Sequence, residues 1–166
     1  MEVAIVSSCA ELNEVVDGKI VFATKEFNHS KKSKINFFLD WVLGFEPDIL
    51  ICSEPLPILA ANRYKSKSTK PCKIIYDVTE FYPSKKNLEN TKGLKRFILR
   101  VLMKSLNRYA SGKADAFIFG EYDKSLYYRS LFKSKPYSFV TYYPDLKYIQ
   151  PEQKKVSNPF VLGYTG

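Results

Sequence analysis

Apolar residues along this chain fall into short runs of strand length, separated by longer stretches in which they recur at helical spacing. Residues 3–7, 19–24, 49–53, 73–78, 115–120 and 138–143 read as strands. The second follows an Asp17-Gly18 turn, and the third is introduced by Pro47-Asp48. Residues 33–44 carry Ile35, Phe38, Leu39, Val42 and Leu43 on one helical face, with Gly44 as the expected stop. Residues 55–64 form a short helix with Pro55 or Pro57 in its first turn, and residues 122–132 form a tyrosine-rich one. The longest helix spans residues 92–111. Leu94, Phe97, Ile98, Val101, Leu102, Ser105 and Tyr109 lie on one side of it, and Arg96, Arg100, Lys104 and Arg108 recur every four residues on another. This β-α repetition predicts an α/β fold. It is Rossmann-like, with three α/β/α layers and a mostly parallel sheet of about six or seven strands joined by right-handed crossovers.

The most informative segment is Cys72-Lys-Ile-Ile-Tyr-Asp-Val-Thr-Glu-Phe-Tyr-Pro83. It opens as a buried central strand and closes on polar and aromatic groups, where Pro83 forbids further pairing. Open α/β sheets bind ligands beyond the carboxyl ends of their strands. Ser7, Ser8, Ser53, Glu54, Asp77, Thr79, Glu80 and Glu121 each follow an apolar strand, so they are expected to converge on one sheet edge. The structural alternative is that Asp77 and Thr79 only cap the next turn.

Composition narrows the chemistry. With 166 residues, 45% hydrophobic and 26% charged, the chain has the make-up of an ordinary globular domain. No apolar run approaches the roughly 20 residues that span a bilayer, and the amino terminus lacks the basic leader of a signal peptide. Cys9, Cys52 and Cys72 sit in or beside apolar runs and read as reduced core thiols, which fits a cytoplasmic protein. The lone His29 lies in a lysine-rich turn, so neither a metal site nor a nucleophile–base set emerges. Ser7-Ser8-Cys9-Ala10 stands where a dinucleotide fold would place G-x-G-x-x-G, and no P-loop occurs. The unusual bulk property is charge: 26 basic and 17 acidic residues leave +9, which attracts anionic partners.

Three stretches taken in order carry a resemblance. They are Pro47-Asp-Ile-Leu-Ile-Cys-Ser-Glu-Pro-Leu-Pro57, Ile75-Tyr-Asp-Val-Thr-Glu-Phe-Tyr-Pro83 and Ala114-Asp-Ala-Phe-Ile-Phe-Gly120. Together they resemble the N-terminal domain of a family 4 glycosyltransferase, one half of a GT-B fold. Val140-Thr-Tyr-Tyr-Pro-Asp145 and Leu162-Gly-Tyr-Thr-Gly166 resemble the crossing into that family's second domain. The resemblance implies residues 1–150 as an acceptor-side Rossmann-like domain, and residues 151–166 as a linker plus the first strand of a C-terminal donor domain. It further implies a retaining, nucleotide-sugar-dependent transferase of hexosyltransferase type, acting in surface-polysaccharide biosynthesis. No cofactor or metal is expected. The donor would bind mainly to the second domain, so this chain alone is expected to be inactive.

By the same resemblance the catalytic candidates are Thr79, Glu80 and Asp77, and Ser7, Ser8, Ser53, Glu54, Glu121, Tyr82 and Tyr142 surround the acceptor. The family commonly has histidine where Thr79 stands. A hydroxyl can hydrogen-bond a sugar but cannot serve as a general base near neutral pH, so Glu80 or Asp77 would have to take that part. The expected partner is a sugar or lipid-linked sugar acceptor. Arg96, Arg100, Lys104 and Arg108 could rest on an anionic membrane, giving a cytoplasmic protein peripheral on the inner face of the membrane. Their alternative is a solvated outer face of a crossover helix. Two rival readings remain: a basic nucleic-acid-binding module, which lacks a recognisable motif, and a non-catalytic partner domain of the same fold. Phe81, Tyr82, Tyr142 and Tyr143 could line a cleft, the other aromatics being core.

Overall fold

The structure is a computed structural model, and it describes residues 3–7, 15–17, 20–24, 30–80 and 88–140. Ser8, Cys9, His29, Phe81, Tyr82, Tyr142, Tyr143 and the 151–166 segment lie outside the described residues. The described strands divide between two sheets. β1 (Val3–Ser7), β2 (Val15–Asp17) and β3 (Ile20–Thr24) form one in the order β1-β3-β2, with β1 and β3 parallel and β2 antiparallel to β3. β4 (Ile49–Cys52), β5 (Lys73–Val78), β6 (Ala116–Phe119) and β7 (Tyr137–Phe139) form the other, all parallel and in sequence order. The fold is therefore α/β with a four-stranded parallel sheet flanked by helices, consistent with a Rossmann-like arrangement. The apolar pattern does not announce β2, a three-residue strand that among the described residues pairs with β3 alone.

The helices follow from local chemistry. α1 (Lys31–Phe45) begins where the Ser30 hydroxyl accepts the Ser33 amide at 3.2 Å. It runs past Gly44, and Glu46 takes the left-handed position (φ 50°) that closes its last turn onto the Val42 carbonyl. α2 (Pro55–Lys67) opens on a proline, whose missing N–H costs nothing in a first turn. α3 (Gly93–Lys113) ends beneath the Lys135 ammonium, which donates to the carbonyls of Ser111 (3.0 Å), Gly112 (2.7 Å) and Ala114. α4 is Tyr122–Leu131.

Parallel strands in sequence order with right-handed crossovers place their connecting helices on one face. Burial agrees. Ile74, Tyr76 and Val78 of β5 are buried with Cys52 of β4 and with Phe117 and Phe119 of β6, against Ile58 and Ala61 of α2, Ala110 of α3 and Tyr128 of α4. Register pairs Cys52 with Tyr76, then Tyr76 with Phe117 and Val78 with Phe119, so the core residues form rows across the sheet. The alternate residues Ile49 and Ile51 are exposed, and Ile75, Asp77 and Ile118 are half-buried. A second cluster, with Ile35, Phe38 and Leu39 of α1 against Ala60 and Tyr64 of α2, joins Val6 of β1 to the same body.

α3 does not pack on its most apolar side. Its Leu94, Phe97, Ile98, Val101, Leu102 and Tyr109 side is exposed, up to 74% at Leu94, and Ser105 is exposed with it. The packed side is formed by Asn107, Ala110 and Ser111 in the last two turns. Small and polar groups dock there because two tyrosines reach them: the Asn107 amide accepts from Tyr76 Oη at 3.3 Å and donates to Tyr128 Oη at 3.0 Å. A buried polar network that is satisfied in this way fixes the helix position as firmly as apolar packing.

Candidate functional site

Because all four strands of the larger sheet are parallel, the residues that follow them share one edge. Ser53 and Glu54 follow β4, Thr79 and Glu80 follow β5, and Glu121 follows β6 after Gly120. Asp77, near the end of β5, sits between Tyr76 and Val78. Those two face the helices, so strand alternation turns Asp77 to the opposite, half-open face. Ser7 ends β1 in the smaller sheet and shares no strand pairing with this edge among the described residues.

Charge on the edge is partly neutralised. Glu54 sits at the N-terminal cap of α2 and pairs with Lys34 of α1 at 3.6 Å. Glu121, at the cap of α4, accepts from the Lys124 ammonium at 2.8 Å, and the same ammonium donates to the Thr79 carbonyl at 2.5 Å. Lys124 thus ties the end of β5 to the start of α4 and brings Thr79 beside Glu121. Sequence reasoning missed it, although a lysine three residues beyond a strand-end glutamate is a readable pairing. The Thr79 amide bonds back to the Asp77 carbonyl at 3.1 Å, a tight local turn that ends the strand.

Asp77 differs from its neighbours. Its Oδ1 is buried and has no hydrogen-bond partner among the described residues, and burial raises its pKa above the ordinary carboxylate value. Buried polar atoms are otherwise nearly always satisfied, so an orphaned carboxylate oxygen near the carboxyl end of a strand calls for a donor. Desolvation also makes this carboxylate a stronger base than an exposed one. Thr79 and Glu80 are exposed beside it, and Glu80 forms no ion pair among the described residues. The edge can therefore accept a proton at Asp77, offer hydrogen bonds from Thr79 and Ser53, and present an exposed carboxylate at Glu80.

Other features lie elsewhere. A shallow apolar depression lined by Asp40, Trp41, Gly44 and Phe45 sits at the end of α1 that leads into the start of β4, so it belongs to the opposite edge. That opposite edge also holds Asp115, whose carboxylate accepts twice from Lys65 (2.8 and 2.7 Å) and once from the Ile74 amide (2.8 Å). Burial alone would raise the pKa of Asp115. The bonds from Lys65 and Ile74, with the charges of Lys65 and Lys73, reverse that and lower it. Cys52 and Cys72 are buried free thiols, and burial with the nearby Cys72 pushes the Cys52 thiol up to about 12. Among the described residues no group of His, Cys, Asp and Glu could hold a metal ion, and no helix is long and apolar enough to cross a membrane.

Fold and edge together define an α/β protein with an acidic, hydroxyl-bearing rim at the carboxyl ends of its parallel strands. Compared with protein-family models, with curated proteins and with solved structures, the chain matches none.

Proposed function

We propose that this chain is the acceptor-binding half of a retaining, nucleotide-sugar-dependent glycosyltransferase of hexosyltransferase type, acting in surface-polysaccharide biosynthesis. On this reading it is one half of a GT-B fold, and its two sheets belong to one Rossmann-like sheet of about six or seven strands. The order of its three sequence stretches supports the resemblance. The observation that carries the reading is Asp77: a half-buried carboxylate with an unpartnered oxygen at the carboxyl end of β5, beside Thr79 and Glu80. A sugar hydroxyl is the kind of donor that oxygen lacks, and it is also the group that must lose a proton as it attacks the donor sugar.

In this scheme Asp77 accepts the acceptor hydroxyl's proton, Thr79 orients the sugar, and Glu80 hydrogen-bonds a neighbouring hydroxyl. Ser53, Glu54 and Glu121 border the pocket, with Ser7, Ser8, Tyr82 and Tyr142 as further contacts. The nucleotide-sugar would bind the second domain, so no cofactor is held here. The test is sugar transfer by the full-length gene product, read as nucleoside diphosphate released from a panel of nucleotide-sugars in the presence of extracted membrane lipids. Asp77→Asn should lower kcat by at least about a hundredfold, the usual contribution of a positioned base. Full activity in Asp77→Asn would remove Asp77 from the chemistry, and full activity in Thr79→Ala would remove Thr79 from the site.

A further inference from the structure

The outer side of α3 has no counterpart in the described core. At about 100° per residue, Leu94, Phe97, Ile98, Val101, Leu102 and Tyr109 fall within an arc of roughly 140°. All are exposed, with Phe97 at 64% and Leu102 at 61%. The arc is centred opposite the Asn107–Ala110 side that docks on the sheet. Basic residues border it on both margins, Lys104 on one and Lys95 and Lys113 on the other, and Arg108 projects between Phe97 and Val101 within it. The helix carries six basic residues and no acidic one.

We propose that α3 is an in-plane membrane helix, which lays this apolar arc into the surface of an anionic bilayer while its lysines and arginines reach the lipid phosphates. An apolar stripe bordered by cations, on a helix not apolar enough to cross a membrane, is the pattern that rests in a bilayer interface. Charge complementarity selects this occupant. A second copy docked through the same face would set the four cations Lys95, Lys104, Arg108 and Lys113 against the same four. Residues 141–166 of the chain carry two acidic and three basic side chains, so they offer no net opposite charge. Nucleic acid would use the cations but has no place for the aliphatic Ile98, Val101 and Leu102. Long basic side chains that border the arc keep their ammonium or guanidinium groups at the headgroup level while their stems cover apolar surface. The inference does not depend on sugar transfer, and its test reads none.

The test is flotation of the full chain with vesicles of phosphatidylcholine containing about a third phosphatidylglycerol, and with phosphatidylcholine alone. Wild type should float with the anionic vesicles only. The double variant Phe97→Ser/Leu102→Ser alters two exposed positions and should weaken partitioning at least tenfold, an estimate of about that order for two apolar side chains. Lys95→Gln/Lys104→Gln should weaken it by about fivefold per residue removed. As an independent readout, Phe97→Trp adds a second indole to the chain's single Trp41, and its emission should shift to the blue when anionic vesicles are added. Four results would each overturn the proposal. They are absence of flotation, wild-type flotation by the serine double variant, an unshifted emission from the Phe97→Trp variant, and a dimer in solution that the serine substitutions dissociate.

Discussion

Asn107→Ala tests how α3 is seated, because that amide is the polar centre of the helix's packed side. Asn107 is 1% exposed. It accepts from Tyr76 Oη at 3.3 Å, donates to Tyr128 Oη at 3.0 Å, and receives a long bond from Ser111 Oγ at 3.5 Å. Each good buried bond of this kind contributes about 1 kcal/mol net. The hydroxyls that lose a partner in a dry site add a desolvation penalty, and the small cavity left adds about another 1 kcal/mol. The sum is about 3 kcal/mol, which in a chain of this size lowers Tm by roughly 6–12 °C. The matched control is Leu102→Ser on the same helix, whose 61% exposure leaves mainly a helix-propensity cost of about 0.5 kcal/mol. Urea unfolding followed by far-UV circular dichroism would compare the two. If Asn107→Ala stays within about 0.5 kcal/mol of wild type while Leu102→Ser loses several, the helix is seated on its apolar side and the reasoning fails.

Three further outcomes follow from the same geometry. Asp77→Asn should stabilise the chain at neutral pH: burial raises the folded pKa, so the native state binds the proton more tightly than the unfolded state, and stability falls as pH rises through that raised pKa. The gain should fade below about pH 4, where Asp77 is protonated in both states, and equal wild-type and variant stability at pH 7 would contradict it. Asp115→Ala, at the opposite edge of the sheet, should cost about 2 kcal/mol in urea unfolding, because the Ile74 amide and Lys65 lose a charged acceptor while the candidate site is untouched. Its pH dependence has the other sign: the lowered pKa supplies stability above the unfolded value that is lost as acid protonates Asp115, and a variant as stable as wild type would count against it. Cys52, buried and pushed up to about 12, should be alkylated by iodoacetamide only in denaturant. Labelling of its peptide under native conditions would show an open core.

Much of the fold is legible in the chain because burial alternates in register with the sequence. The Ile74-Tyr76-Val78 alternation bounds β5 correctly at both ends, and the same pattern places β4 and β6 to within one residue. β2 escapes it, since Val15-Val16-Asp17 is too short to show a period and acquires its state only by pairing with β3. Gly44 misplaces the end of α1 because the left-handed position is held by Glu46, not by the glycine that usually fills it. The seating of α3 is hidden for a stronger reason: hydrophobic rank points to Leu94 and Phe97, whereas the helix docks through an asparagine, an alanine and a serine that meet tyrosines distant in sequence. Of the candidate site, the carboxyl edge and the gathering of Ser53, Glu54, Asp77, Thr79, Glu80 and Glu121 on it follow from strand order. The lysines that tie it, Lys34 and Lys124, and the orphaned oxygen of Asp77 are tertiary facts.

The proposal that this chain is one half of a two-domain sugar transferase is tested most directly by the reading frame beyond the Gly166 codon. The proposal predicts that it continues into a second Rossmann-like domain carrying two glutamates about one helical stretch apart, as a donor-binding pair. A stop codon at that point would contradict it, because the donor would have nowhere to bind.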